Sequence, residues 1–137
     1  AIESIDSVAL VEKIDSRATR ELPVFIEVNV SNEDTKHGCS PADFSSIAEA
    51  VTASTHLKFA GLMTVGLNSS VEADVRRGYA LLRELRDTAA QQLAIPAKQL
   101  ELSMGMSHDL EWAIAEGATI VRVGTAVFGA RRLATRG

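Results

Sequence analysis

The chain has a single cysteine, Cys39, so no disulfide can form within it, and such usage suits a reducing compartment like the cytoplasm. No apolar run approaches the about 18 residues that a membrane-spanning helix requires, so no membrane partner is expected. The opening stretch, Ala1 to Ser7, has neither the basic cluster nor the apolar core of a secretory signal. Positive charge is scarce: 14 Lys and Arg stand against 18 Asp and Glu, a net charge of −4. That balance argues against a nucleic-acid partner, whose protein footprint is usually basic, while leaving room for a local anion site. There is no P-loop and no dinucleotide glycine fingerprint. His37, His56 and His108 stand at no metal-ligand spacing from one another or from Cys39, so no metal is expected. Nothing resembling a Ser-His-Asp arrangement supports nucleophilic hydrolysis. What remains, at 46% hydrophobic and 23% charged residues, is a globular chain whose length fits one domain or a piece of a larger one.

Two apolar periods alternate along it. Ser7 or Asp6 can cap a first helix with Val8, Val11, Ile14 and Ala18 inward. Val24, Phe25, Ile26, Val28 and Val30 then form a largely β-branched run, apolar on both faces as buried parallel strands are, with Asn29 near its end. A polar loop from Ser31 to Ser40 follows. Ser40 and Pro41 read as N-cap and first position of a second helix, with Phe44, Ile47, Ala48 and Val51 on one face. A strand is expected from Leu57 to Thr64. A long helix follows from about Val71 to Leu93, with Val75, Tyr79, Leu82, Ala89 and Leu93 inward. After Pro96 come a short strand around Leu100 to Ser103, a helix from about Asp109 to Glu116 ended by Gly117, and a last strand from Thr119 to Val123. With a further strand at Ile2 to Ile5, this is four or five βα units and a parallel sheet with helical crossovers. Periodicity alone leaves open whether the sheet is doubly wound or a segment of a barrel.

The chemistry-bearing stretch is Leu102 to Gly129. In a barrel, sites form at the C-terminal ends of strands, and phosphate is often held by the loops after the last two. Here the first loop is Ser103-Met104-Gly105-Met106-Ser107, leading into a helix at His108 and Asp109, and the second is Gly124-Thr125. Small residues let backbone N–H groups approach an anion and hydroxyls add donors. The same residues also serve as plain capping and turn chemistry. Arg122 is a lone charge in an apolar strand. Either its guanidinium snorkels or bridges to Asp or Glu, or it points into a site. A guanidinium only donates, so facing a pyridine nitrogen it would keep that nitrogen an acceptor. Asn29 could hold a ring hydroxyl or satisfy backbone groups at its strand end. Met63, Met104 and Met106 could wall a flat ring or simply fill the core.

Read together, these residues resemble a known family. SMGMS with Asp109 after it, AIAEGATIVRVGTAVFGAR, GLMTV at Gly61 to Val65, VNVSNEDTKHG at Val28 to Gly38 and SIDS at Ser4 to Ser7 are similar to the motifs of the pyridoxal-phosphate homeostasis proteins. The likeness covers nearly the whole chain. It implies an α/β fold, a (β/α)8 TIM barrel of the alanine racemase N-terminal type, with about the fourth to the eighth strands present here. Residues 1–137 would then be the C-terminal portion of one pyridoxal 5′-phosphate-binding domain. The resemblance further implies Ser107, Gly124 and Thr125, with Ser103, at the cofactor phosphate, Arg122 at the pyridine nitrogen, and Asn29 and Met63 beside the ring. The family's Schiff-base lysine belongs to the first strand, and Lys13, Lys36, Lys58 and Lys98 all lie outside that motif.

Three functions follow for comparison: a non-catalytic cofactor carrier in vitamin B6 and amino-acid homeostasis, a pyridoxal-phosphate racemase or decarboxylase, and a barrel enzyme acting on another phosphorylated substrate. Racemases of the related barrel use a tyrosine from a following β domain, whereas the one tyrosine here, Tyr79, falls mid-helix. An arginine at the ring nitrogen also weakens the cofactor as an electron sink. The tyrosine favours the carrier, whereas the arginine does not exclude racemisation; the expected partner is the small-molecule cofactor, and the expected full-length form a monomer or weak dimer.

Overall fold

Each β-branched run becomes a strand and each run of period 3.6 a helix. The computed structural model describes residues 1–31, 33 and 37–123. In chain order these form β1 (Ile2–Ile5), α1 (Val8–Arg17), β2 (Leu22–Glu27), α2 (Phe44–Ala53), β3 (Leu57–Met63), α3 (Glu72–Gln92), β4 (Glu101–Met106), α4 (Leu110–Ala115) and β5 (Ile120–Arg122). A 3-10 turn, Ala97–Gln99, precedes β4. The strands make one sheet in the order β1-β2-β3-β4-β5, and every neighbouring pair is parallel. A doubly wound sheet reverses its strand order at a switch point. Here spatial order follows chain order throughout, which is the arrangement of a barrel segment.

Register divides the sheet into two faces. Ile26 pairs with Leu62 and Leu62 with Leu102, all three fully buried. They join Val11, Ile47, Val51, Val75, Tyr79 and Leu82 from the helices in one apolar cluster. Partners in a parallel ladder point the same way, so the neighbouring positions form the other face. There Phe25 pairs with Gly61, Glu27 with Met63, and Met63 with Ser103. Gly61 allows β3 to lie close to its neighbours: a Cβ would meet the Glu101 carbonyl oxygen of β4 and stand 2.8 Å from Cε2 of Phe25.

Most local expectations hold. The Ser7 hydroxyl accepts the Leu10 N–H at 3.1 Å and caps α1. Phe44, Ile47, Ala48 and Val51 are the buried stripe of α2. Gly117 follows α4 with φ of +101°, the left-handed conformation a helix end uses. Several boundaries differ. Val8 is 37% exposed, because the buried arc of α1 runs from Val11 toward Leu10 and Ile14, and Val8 lies on the opposite flank. Ser40 does not cap α2: it closes a preceding turn by accepting from the Asp43 N–H at 3.2 Å, and Asp43 is the N-cap. β2 ends at Glu27, with Val28 in a single bridge to Cys39 and Val30 beyond the ladder. The expected loop at Ser103 to Ser107 is instead β4 up to Met106, since pairing with Met63 on one side and Arg122 on the other continues the strand.

Candidate functional site

The C-terminal ends of β2 to β5 are tied to one another by cross-strand hydrogen bonds. The Val28 N–H donates to the Met63 carbonyl at 2.9 Å, and the Thr64 N–H to the Ser103 carbonyl at 3.1 Å. The Thr64 hydroxyl donates to the Val28 carbonyl at 2.7 Å. Arg122, last residue of β5, donates through Nη2 to the Thr64 carbonyl at 2.7 Å. The guanidinium is therefore anchored across the sheet end by one of its amino groups. Its Nη1 is buried and has no hydrogen-bond partner among the described residues. Neither of the two sequence readings of Arg122 foresaw a backbone carbonyl as its anchor.

Ser103 is fully buried on the non-helical face beside Met63, and its Oγ likewise has no partner among the described residues. Two buried donors without partners on neighbouring strands are unusual, because an unmet buried polar group costs about 1–3 kcal/mol. Met63, the register partner of Ser103, is half-buried at the end of β3. Ser107 sits in the turn directly after β4, one residue past Met106, the register partner of Arg122. A cavity of about 350 Å³ is lined by Ser107, His108, Asp109, Leu110, Glu111 and Trp112. Asn29, just beyond β2, spends its side chain locally, donating to the Glu33 carbonyl at 2.8 Å and accepting from the Ser31 hydroxyl at 3.2 Å. The fold thus sets Met63 and Arg122 at the ends of β3 and β5, Ser107 just past the end of β4, and Ser103 within β4 beside Met63. Gly124 and Thr125 lie outside the described residues.

Sequence reasoning passed over several groups. Glu27 interrupts the apolar run of β2 and is 6% exposed on the face of Met63 and Ser103. Loss of hydration pushes its carboxyl above the ordinary range; His37 and Arg122 pull it back and Asp6 adds to the rise. A lone carboxylate within an apolar strand was the available signal, of the same kind that singled out Arg122. Thr64 was visible within the GLMT motif as a strand end but not as a tie. Asp109 and Tyr79, paired at 2.6 Å across 30 positions, carried no local signal of contact. Cys39 offers no nucleophile, since burial first, with Asp43 and other carboxylates nearby, pushes its thiol up to about 12. A larger cavity of about 470 Å³ beside α3 includes Leu67, Asp74, Arg77 and Leu81, and its Arg77 and Asp74 are already paired with each other.

No helix among the described residues is long and apolar enough to cross a membrane. Comparison with known proteins places this geometry. The family described as alanine racemase, N-terminal domain, matches residues 1–132. The human pyridoxal phosphate homeostasis protein is 40% identical over 140 residues, which covers 95% of this chain and 50% of that protein. A solved protein from Bifidobacterium adolescentis is 45% identical with a TM-score of 0.86, over 93% of this chain and 52% of that one. PipY of Synechococcus elongatus, solved with PLP bound, is 34% identical with a TM-score of 0.76, over 93% of this chain and 60% of that one. The chain spans about half the length of the curated relatives it matches. With a parallel five-stranded sheet in sequential order and a family match over nearly its whole length, the chain belongs to the alanine racemase N-terminal domain family, as a segment of that (β/α) barrel.

Proposed function

We propose that this chain is the C-terminal portion of a cytoplasmic, non-catalytic pyridoxal 5′-phosphate-binding protein acting in vitamin B6 and amino-acid homeostasis. The observation that carries the reading is the half-used guanidinium of Arg122: Nη2 is anchored to the Thr64 carbonyl, and Nη1 is buried with no partner among the described residues. A planar donor held this way at a strand end suits an acceptor-only ring nitrogen. Ser103 supplies a second buried donor in want of a partner, its hydroxyl, and Met63 an apolar neighbour for the ring. Ser107, with Gly124 and Thr125, would hold the phosphate, and Asn29 would border the ring from β2. When bound, the cofactor supplies an aldehyde that condenses with amines and a ring that withdraws electrons. An arginine partner leaves the ring nitrogen unprotonated, which weakens that withdrawal and fits holding better than turnover. The single tyrosine is no free acid or base, because Tyr79 is fully buried and its hydroxyl donates to Asp109.

The test is a titration of the chain with pyridoxal 5′-phosphate, followed by absorbance, with inorganic phosphate as competitor and borohydride added at saturation. We expect saturable, phosphate-competed binding and no cofactor left attached after reduction. Ser107→Ala should weaken it by about 1.5–3 kcal/mol, the range for a hydrogen bond to a charged group. Absence of saturable binding, or stoichiometric trapping on one of the chain's lysines, would overturn the proposal.

A further inference from the structure

The turn that carries Ser107 is held from outside the sheet. Asp109 is 3% exposed and uses both carboxylate oxygens. Oδ1 accepts the Met106 N–H at 2.7 Å, and Oδ2 accepts the hydroxyl of Tyr79 at 2.6 Å. The backbone closes the same turn, with the Asp109 N–H donating to the Met106 carbonyl at 3.1 Å and the Asp109 carbonyl accepting from Ala113 at 3.0 Å. The His108 Nε2 stands 3.6 Å from Oδ2, and the Arg122 charge also acts on Tyr79.

Tyr79 comes from the middle of α3 and is fully buried. Its phenol is held well above its ordinary value, by burial first and then by the bond to Asp109, so it remains a donor. On its far side it packs against Gly66, where a Cβ would stand 2.8 Å from the hydroxyl. The φ of +82° at Gly66 is also one that glycine tolerates and a branched residue does not. The Gly66 N–H in turn points at the Thr64 hydroxyl, 3.4 Å away, and the carbonyl of Thr64 anchors Arg122. One line of contacts therefore runs from the guanidinium through Thr64, Gly66, Tyr79 and Asp109 to the turn after β4.

A buried tyrosine–carboxylate bond costs desolvation on both sides, and a pair of apolar residues would fill the same space without it. What the bond adds is orientation. It fixes Asp109, and Asp109 fixes the Met106 N–H one residue ahead of Ser107. We infer that Tyr79 and Asp109 are positioning residues for the phosphate-binding turn, setting the direction of Ser107 and its neighbouring N–H groups without touching the ligand themselves. The inference rests on the site proposed above.

Tyr79→Phe tests it, because the ring still fills the core while the donor is lost. Three readouts are compared with the parent chain: binding of pyridoxal 5′-phosphate and of inorganic phosphate, binding of pyridoxal, which has no phosphate, and hydrogen exchange at the Met106 amide. We expect the two phosphate-bearing ligands to bind about five- to tenfold more weakly, less than the loss of a direct bond to a charged group. Pyridoxal binding should be unchanged and Met106 exchange faster. Asp109→Asn, which keeps one acceptor oxygen, should move the same readouts in the same direction and serves if Tyr79→Phe does not fold. Equal weakening of pyridoxal would make the pair a general structural prop and overturn the inference, as would unchanged phosphate binding in both variants. A parent chain that binds neither pyridoxal 5′-phosphate nor phosphate would instead sink the site itself, while slow Met106 exchange that quickens in the variants would still show the strut.

Discussion

Replacing Arg122 with methionine keeps the apolar stem of the side chain and removes its donors. Two effects on the ligand-free protein oppose each other. The bond from Nη2 to the Thr64 carbonyl, 2.7 Å long and partly buried, is charge-assisted, and its loss costs about 1.5–3 kcal/mol. Removing the buried, partnerless Nη1 recovers about 1–3 kcal/mol of desolvation. The net change should be no more than about 1–2 kcal/mol, a shift of several degrees in Tm for a chain of this size. In the presence of pyridoxal 5′-phosphate there is no such offset, because Nη1 would then have had its acceptor. Affinity should fall about 10- to 150-fold, the equivalent of one hydrogen bond to a charged group. Inorganic phosphate should bind nearly as before, since the ring and not the phosphate is addressed. Arg122→Lys should fall between, a point charge being able to serve the Thr64 carbonyl or the ring but not both. The assay pairs thermal melts without ligand against absorbance titrations with cofactor and with phosphate. A loss of more than about 3 kcal/mol in the ligand-free protein together with unchanged cofactor affinity would refute the reasoning, making Arg122 a strut between β3 and β5.

Two further perturbations test the face opposite the helices. Glu27 has its carboxyl raised by burial, so its charged form opposes folding: stability is fully present below the ordinary carboxylate range and declines as pH rises through the raised value. Glu27→Gln should therefore melt higher than the parent at neutral pH and equally at pH 3, and a difference that persists unchanged in acid would show that charge is not the cause. Gly61→Ala places a Cβ against the Glu101 carbonyl, a backbone atom that cannot turn aside, so β3 and β4 must separate. Denaturant unfolding should report a loss at or above the usual overpacking cost of about 1–3 kcal/mol, and a loss under 0.5 kcal/mol, within the range of ordinary surface changes, would mean the strands are not so closely paired.

What the sequence determined by itself is local. Period-2 and period-3.6 apolar patterns identify strands and helices because each depends on residues within one or two turns of one another. Hence the Ser7 cap, the Phe44–Val51 stripe and the Gly117 stop were legible, and so was parallel pairing, which follows from helices between strands. Arg122 was legible as a lone charge in an apolar strand for the same reason, whereas the other site residues were given their roles by motif resemblance. Tertiary structure decided what crosses between elements. Strand order, which separates a barrel segment from a doubly wound sheet, depends on which edges meet. Small residues at Ser103 to Ser107 look like a loop until neighbouring strands supply ladder partners that extend β4. Arg122 reaches a carbonyl 58 positions away and Tyr79 a carboxylate 30 away, distances over which no periodic signal persists. Glu27 is an ordinary carboxylate in sequence and becomes a costly one only when the sheet removes its water. Local geometry sets which element a residue joins, whereas burial and partnership are set by the surfaces that element is packed against.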